Sequence, residues 1–90
     1  IMTTTRIQIT APRGLHIRPS HILTKEIQSI EGDVYLIKDK FRRKIKQVKD
    51  ILSLEIAQGD FIDIQVFPNC QRSIEKIRNK ILEINSIVFS

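Results

Sequence analysis

The sequence predicts an α+β fold with elements in the order β-α-β-β-α-β-α, a mostly antiparallel sheet carrying its helices on one face. Three observations lead there. Short runs with a two-residue apolar period alternate with longer runs at helical spacing. Only Lys38-Asp39-Lys40, with a turn at Asp39-Lys40, separates the two middle strands, whereas a parallel crossover needs about a dozen residues or more. The 90 residues show no internal repeat, linker or low-complexity segment, so one domain spans 1–90. Its single modest core buries roughly 60–65% of the surface the unfolded chain exposes.

Each element has its own signal. Arg6-Ile7-Gln8-Ile9-Thr10 alternates polar and apolar residues, as a half-buried strand does. Ala11-Pro12-Arg13-Gly14 reads as a turn or loop. Ile22, Leu23, Ile27 and Ile30 then recur at helical spacing, predicting a helix from about His16–Pro19 to Ile30, with Gly32 as its stop. Val34-Tyr35-Leu36-Ile37 is a strand, and Phe41 to Ile45 returns as a second, highly charged one. Val48, Ile51, Leu52 and Ile56 suggest a short helix, followed by a turn at Gln58-Gly59-Asp60. Phe61 to Phe67 alternates again, with Ile62, Ile64 and Val66 on one face. Pro68 punctuates and Asn69 is a candidate N-cap. Ile74, Ile77, Ile81, Ile84 and Val88 mark one stripe of a long last helix.

Composition narrows the functional classes. Cys70 is the single cysteine, so no intrachain disulfide can form and a reducing, cytoplasmic compartment is expected. The segment IMTTTRIQIT has no apolar stretch of the kind a secretory signal needs. No apolar run approaches the ~20 residues of a membrane helix, so no membrane insertion is expected. Fifteen basic residues against ten acidic ones give +5. The excess is concentrated in Lys38 to Lys49, where Lys38, Lys40, Arg42, Arg43, Lys44, Lys46 and Lys49 meet one acid, Asp39. Such a run is a solvated strand-and-helix face, a surface for an acidic protein, or a nucleic-acid backbone site. Only Phe41 interrupts it with a ring, which is thin support for base stacking.

The stretch Gly14-Leu15-His16-Ile17-Arg18-Pro19-Ser20-His21 carries the most chemistry. The first N–H groups of a helix lack intrahelical partners and sit at the positive end of its dipole. Together they form an anion site. Pro19 suits the first turn, because its missing N–H is not needed there, and it biases Arg18 away from helical geometry. Ile17 and Arg18 then offer their backbone amides to an anion, and His16 at or just before the N-cap hangs its imidazole over it. Gly14 permits the close turn, and Arg18 adds a permanently charged fork matched to phosphate oxygens. These are the parts needed to hold a phosphoryl group on a histidine nitrogen. The competing reading of such a histidine is an ordinary surface residue. Metal binding fits less well: His16 and His21 are five residues apart, which at about 3.6 residues per turn puts them on different helix faces. No metal or other cofactor is therefore expected. Triad and P-loop classes find no motif here, with neither G-x-S-x-G nor G-x-x-x-x-G-K in the chain. His21 reads as a helix residue beside the site. Cys70 reads as structural or as a spectator at the start of the last helix.

Ile9 to Pro19 resembles the active-site region of HPr, the histidine-containing phosphocarrier of the bacterial phosphotransferase system. That family's pattern is Gly-Leu-His-x-Arg-Pro, and Gly14, Leu15, His16, Arg18 and Pro19 supply every specified residue. Ile51 to Gly59 resembles the stretch that closes the family's second helix and turns into its last strand, in the same register. The resemblance implies an open-faced β-sandwich with a four-stranded antiparallel sheet and three helices on one face. It implies a carrier that takes a phosphoryl group from phosphorylated enzyme I and passes it to IIA components of sugar permeases. By position it makes His16 the phosphorylated histidine, through Nδ1 in the family, and Arg18 the arginine beside it. Such a protein completes a transfer site only with its partners, so it is a carrier and not a full enzyme, and a monomer is expected. Return transfer favours a shallow, exposed site.

Some positions depart from the family. A regulatory serine is common after the lysine that starts the second helix, and here Gln47 follows Lys46. Glutamine has no hydroxyl to phosphorylate. The docking surface implied by the resemblance comprises Lys46, Gln47, Val48, Lys49, Ile51 and Leu52, more basic than usual, and Arg13 adds charge near the phosphate. Two other classes stay open: a regulatory or nitrogen-branch relay protein of the same fold, and a basic module binding acidic partners or nucleic acid, the latter disfavoured by the intact motif.

Overall fold

The computed structural model describes residues 4–87. Its elements are β1 (Thr5–Gln8), α1 (Ile17–Gln28), β2 (Asp33–Lys38), β3 (Phe41–Lys44), α2 (Val48–Leu52), β4 (Phe61–Phe67) and α3 (Gln71–Ser86). The strands form one four-stranded sheet in the order β1-β4-β2-β3, and every neighbouring pair is antiparallel. The Asp39-Lys40 link makes β2 and β3 a hairpin, with Lys38 opposite Phe41 and Tyr35 opposite Lys44. The predicted α+β fold is the observed one.

One face of the sheet carries the core. Ile7, Val34, Leu36, Ile62, Ile64 and Val66 point into it and are buried. Their neighbours along each strand, such as Arg6, Gln8, Phe61 and Phe67, stay on the open face. The helices close the core with Leu23 and Ile27 of α1, Ile51 of α2, and Ile74, Ile77, Ile81 and Ile84 of α3. The last four are the stripe that the sequence marks, while Val88 lies outside the described residues. On the open face the Arg42 guanidinium stacks 3.7 Å from the Tyr35 ring centre and donates to Gln65 Oε1 at 2.8 Å. That hydrogen bond explains how Gln65 can be buried on a solvent-facing row.

The ends of the elements depart from the periodicity, each for a local reason. Strand β1 stops at Gln8, not Thr10, because the chain bends onto the loop before β4: Ile9 N–H donates to Asp60 O and Gly59 N–H to Ile9 O. Helix α1 ends at Gln28, not Ile30. There Ser29 and Ile30 donate to carbonyls three residues back, tightening the last turn before Gly32 is reached. Strand β3 ends at Lys44, although Ile45 still donates to Val34 O. Ile56 is buried but lies beyond α2, in the loop, because Glu55 takes a positive φ of 49° that ends any helix. The N-cap of α3 is Cys70, one residue after the expected Asn69.

The turn before α1 is the tightest feature of the fold. Arg13 and Gly14 both have positive φ, at 67° and 64°. A Cβ on Gly14 would overlap the Ile56 carbonyl oxygen and lie 2.7 Å from the Ala57 Cα. Gly14→Ala combines the strained backbone with that overlap, so it is expected to lower the unfolding free energy by about 2–4 kcal/mol. Urea denaturation read by circular dichroism checks this; an unchanged midpoint would show that the turn does not rest on the Ile56–Ala57 backbone.

Candidate functional site

His16 is the N-cap of α1, with an extended backbone at φ −73° and ψ −168°. Four hydrogen bonds place it there. Gly14 N–H donates to Ala11 O at 2.9 Å and closes the turn. Leu15 N–H donates to Ile56 O at 3.0 Å, and the buried Leu15 side chain anchors the segment in the core. The buried Ser20 hydroxyl then reaches back to Leu15 O at 2.8 Å, and Ser20 N–H donates to His16 O at 3.0 Å. Ser20 therefore fixes the entry to the helix from inside. In the sequence it is only a serine in a helical run, and the sequence reading assigns it no role.

The imidazole is half-buried, with Nδ1 3.2 Å from the Gly14 carbonyl oxygen. Ile17 and Arg18 occupy the first two helical positions and are exposed, and Pro19 is buried in the third. Arg18 is thus helical, against the expected bias of Pro19 away from helical geometry. The contact of the proline Cδ with the Arg18 N–H and Cβ disfavours helical geometry without forbidding it, and Pro19 itself fits the first turn, because the carbonyl four residues back belongs to Leu15, ahead of the cap. The outcome for the anion site is unchanged: Ile17 and Arg18 still carry the only N–H groups of the first three helical positions. His21 is exposed on the second turn.

Helices α1 and α2 run in opposite directions. Leu15, just before α1, bonds to Ile56, just after α2, while Gln28 at the far end of α1 donates to Lys46 O at 3.0 Å. Lys46 and Gln47 therefore lie one helix length from His16, about 18 Å for twelve residues. Of the six docking positions implied by the resemblance, Lys46, Gln47 and Lys49 are exposed, and Val48 and Leu52 half-buried. Ile51 has no exposed surface and is a core residue, not a contact. Its apolar character comes from packing under α2. Ile17, expected to serve only through its amide, also presents an apolar side chain at the surface, 51% exposed.

The basic run is partly consumed by the fold. Lys38 Nζ donates to Leu54 O and Glu55 O and pairs with Asp60 at 3.2 Å, bracing the loop on which the His16 turn rests. Lys44 pairs with Asp33, and Arg42 is held by Tyr35 and Gln65. Lys40, Arg43, Lys46 and Lys49 remain on the surface.

Among the described residues no helix is long and apolar enough to cross a membrane, and no group of three or more His, Cys, Asp or Glu could hold a metal ion. Cys70 is exposed at the start of α3, where the Ser73 hydroxyl donates to its Sγ at 3.3 Å and holds the thiol below its ordinary pKa.

Residues 3–81 match the family model described as PTS HPr component phosphorylation site. The chain belongs to the HPr family. It is 26% identical over 76 residues to the phosphocarrier protein HPr of Mycoplasma capricolum, a match covering 83% of this chain and 85% of that one. Its fold matches the histidine-containing phosphocarrier protein of a mycoplasma with a TM-score of 0.83, at 22% identity and over 94% of this chain and 98% of the other. It also matches HPr from Thermoanaerobacter tengcongensis with a TM-score of 0.85, at 20% identity and over 98% and 100% of the two chains. The chain is an HPr-type phosphocarrier of the phosphotransferase system, which places its work in sugar transport.

In this chain, Asp50 organises the start of α2. Its Oδ2 accepts the backbone N–H groups of Lys46 and Gln47, each at 2.8 Å. Partial burial pushes the carboxyl pKa up, but those two donors, with Lys49 and Arg43 nearby, outweigh it and hold the group below the ordinary value. A pKa depressed by folding contributes stability above the unfolded value and loses it as pH falls through the folded one. Asp50→Asn is expected to destabilise the protein by about 0.5–2 kcal/mol at pH 7. The gap from wild type should shrink as pH drops below about 4. Urea midpoints of both proteins at pH 7 and pH 3 test this, and a gap independent of pH would remove the ionised carboxylate from the account.

Proposed function

We propose that His16 is the phosphoryl acceptor, charged by phosphorylated enzyme I and discharged to IIA domains of sugar permeases. The observation that carries this reading is His16 at the N-cap of a 12-residue helix whose first two residues, Ile17 and Arg18, lie on the surface. A phosphoryl group on the ring there meets the positive end of the helix and the Arg18 fork. Attack by Nδ1 requires its lone pair, with the ring proton on Nε2, so Nδ1 has to leave its place beside the Gly14 carbonyl. The nitrogen–phosphorus bond of the donor phosphohistidine breaks as the new one forms, and the donor nitrogen recovers its electron pair. No external base is consumed, which suits a transfer that runs in either direction.

The docking face in this reading is Ile17, Val48 and Leu52, edged by Lys46, Gln47 and Lys49. The lysines are too far from His16 to touch the phosphate, so they act through long-range attraction of an acidic partner face, raising the association rate. Gln47 offers no hydroxyl for regulation by a serine kinase.

Phosphorylation with phosphoenolpyruvate and enzyme I decides the acceptor. His16→Ala is expected to lose all acid-labile phosphate while keeping its circular dichroism spectrum, and His21→Ala is expected to keep both. Phosphate retained by His16→Ala would refute the assignment. Absence of phosphate from wild type would favour the basic interaction module instead.

Arg18→Ala is expected to accept phosphate but to transfer it more slowly, by about tenfold, because a charge-assisted bond to the phosphoryl oxygens is lost. Arg18→Lys should recover only part of the rate, since the ammonium lacks the planar fork. Rapid-quench transfer kinetics measure this, and equal rates for wild type and Arg18→Ala would take Arg18 out of the site.

A further inference from the structure

We infer that Asn85, in the last turn of α3, is a positioning residue for the His16 imidazole. The inference rests on the reading of His16 as the acceptor. The Asn85 carboxamide is bonded to the segment that leads into the His16 turn. Its Oδ1 accepts Thr10 N–H at 2.9 Å and Ala11 N–H at 3.2 Å, and its Nδ2 donates to Gln8 O at 2.9 Å.

A segment that leaves the sheet must find other partners for its backbone groups. Ile9 finds them on Asp60 and Gly59, and Thr10 O takes the Gln58 side chain at 3.2 Å. Asn85 satisfies three of the remaining groups with one side-chain head. A carboxamide suits that task because it accepts through oxygen and donates through nitrogen. Serine could not span the set, and a carboxylate could not donate to Gln8 O.

The link to His16 is short. Ala11 O accepts the Gly14 N–H, and Gly14 O lies 3.2 Å from His16 Nδ1. Moving Ala11 therefore moves the carbonyl that faces the reacting nitrogen. Asn85 contributes little to holding α3 itself, whose packing comes from the buried stripe Ile74, Ile77, Ile81 and Ile84. Loss of the carboxamide leaves that stripe in place and loosens only the loop. Misplacement of a reacting group by about an ångström costs up to a hundredfold in rate.

The experiment compares wild type, Asn85→Ala, Asn85→Asp and Ile81→Val. Ile81→Val trims a buried side chain of α3 and leaves the Asn85 carboxamide in place. Two readouts are used: nitrogen-15 and proton signals of the His16 ring by NMR, and phosphoryl transfer from enzyme I charged with phosphoenolpyruvate. In Asn85→Ala the ring signals should shift and the Gly14 amide should lose protection from hydrogen exchange. The transfer rate at saturating donor should fall roughly tenfold or more, with KM for the donor held within about twofold. Asn85→Asp retains the acceptor for both amides and should fall between. Ile81→Val should show wild-type ring signals and transfer rate, however much its melting temperature drops. Unmoved ring signals in Asn85→Ala, or a wild-type transfer rate, would overturn the inference, as would the same losses in Ile81→Val. A wild-type protein that takes no phosphate on His16 would refute the acceptor assignment instead, and the ring signals would still decide the positioning.

Discussion

The approach of the Gly14 backbone to the Ile56–Ala57 backbone is the constraint on which the rest of the site depends. Two chains of peptide can come this close only where one of them lacks a Cβ. The contact lets Leu15 N–H reach Ile56 O and sends the Leu15 side chain into the core. It leaves His16 extended, so the next residue opens a helix and the imidazole stands at its N-terminus. A bulkier turn would force the segment away from the loop and tilt the start of α1. The electrostatics of the site thus follow from a steric fact.

The loop under that turn is itself braced by charge. Lys38 crosses from the end of β2 to two carbonyls after α2 and to Asp60. Asp60 also accepts the Ala57 N–H at 2.8 Å, the main reason its carboxyl stays below the ordinary value, with Lys38 adding to it against the opposing effect of burial. One member of the basic run therefore acts inside the fold. The run divides into cations used for structure, namely Lys38, Arg42 and Lys44, and cations left for solvent or a partner. Counting charge along the chain cannot make that division.

A carrier has to release what it accepts. Binding energy spent on the bound phosphoryl group would slow the onward step, since only interactions stronger in the transition state speed transfer. The half-buried ring and the surface positions of Ile17 and Arg18 suit that requirement. In the proposed reading a partner supplies the remaining half of the transfer site, and the apolar surface at Ile17, Val48 and Leu52 is spread over α1 and α2.

The sequence by itself determined the element order, the hairpin, the inward face of β4 and the stripe of α3. Each of these rests on a period or a short link that survives any tertiary arrangement. It also determined the functional histidine candidate, because glycine, histidine, arginine and proline at this spacing serve a helix-entry anion site and match one family. The tertiary structure decided the ends of the elements, where backbone groups choose between a ladder and a distant side chain. Strand β1 stops early because Ile9 turns to Asp60 and Gly59, and Asn85, 75 residues from Thr10 in sequence, then takes the Thr10 amide. It decided that Ile51 is core and not contact, since an apolar residue on a short helix reads the same from either side. It decided that Ser20 bonds back to Leu15 and that Asn85 holds Gln8, Thr10 and Ala11. Their partners are backbone groups, and no side-chain pattern in the sequence records which backbone group a serine or an asparagine will meet.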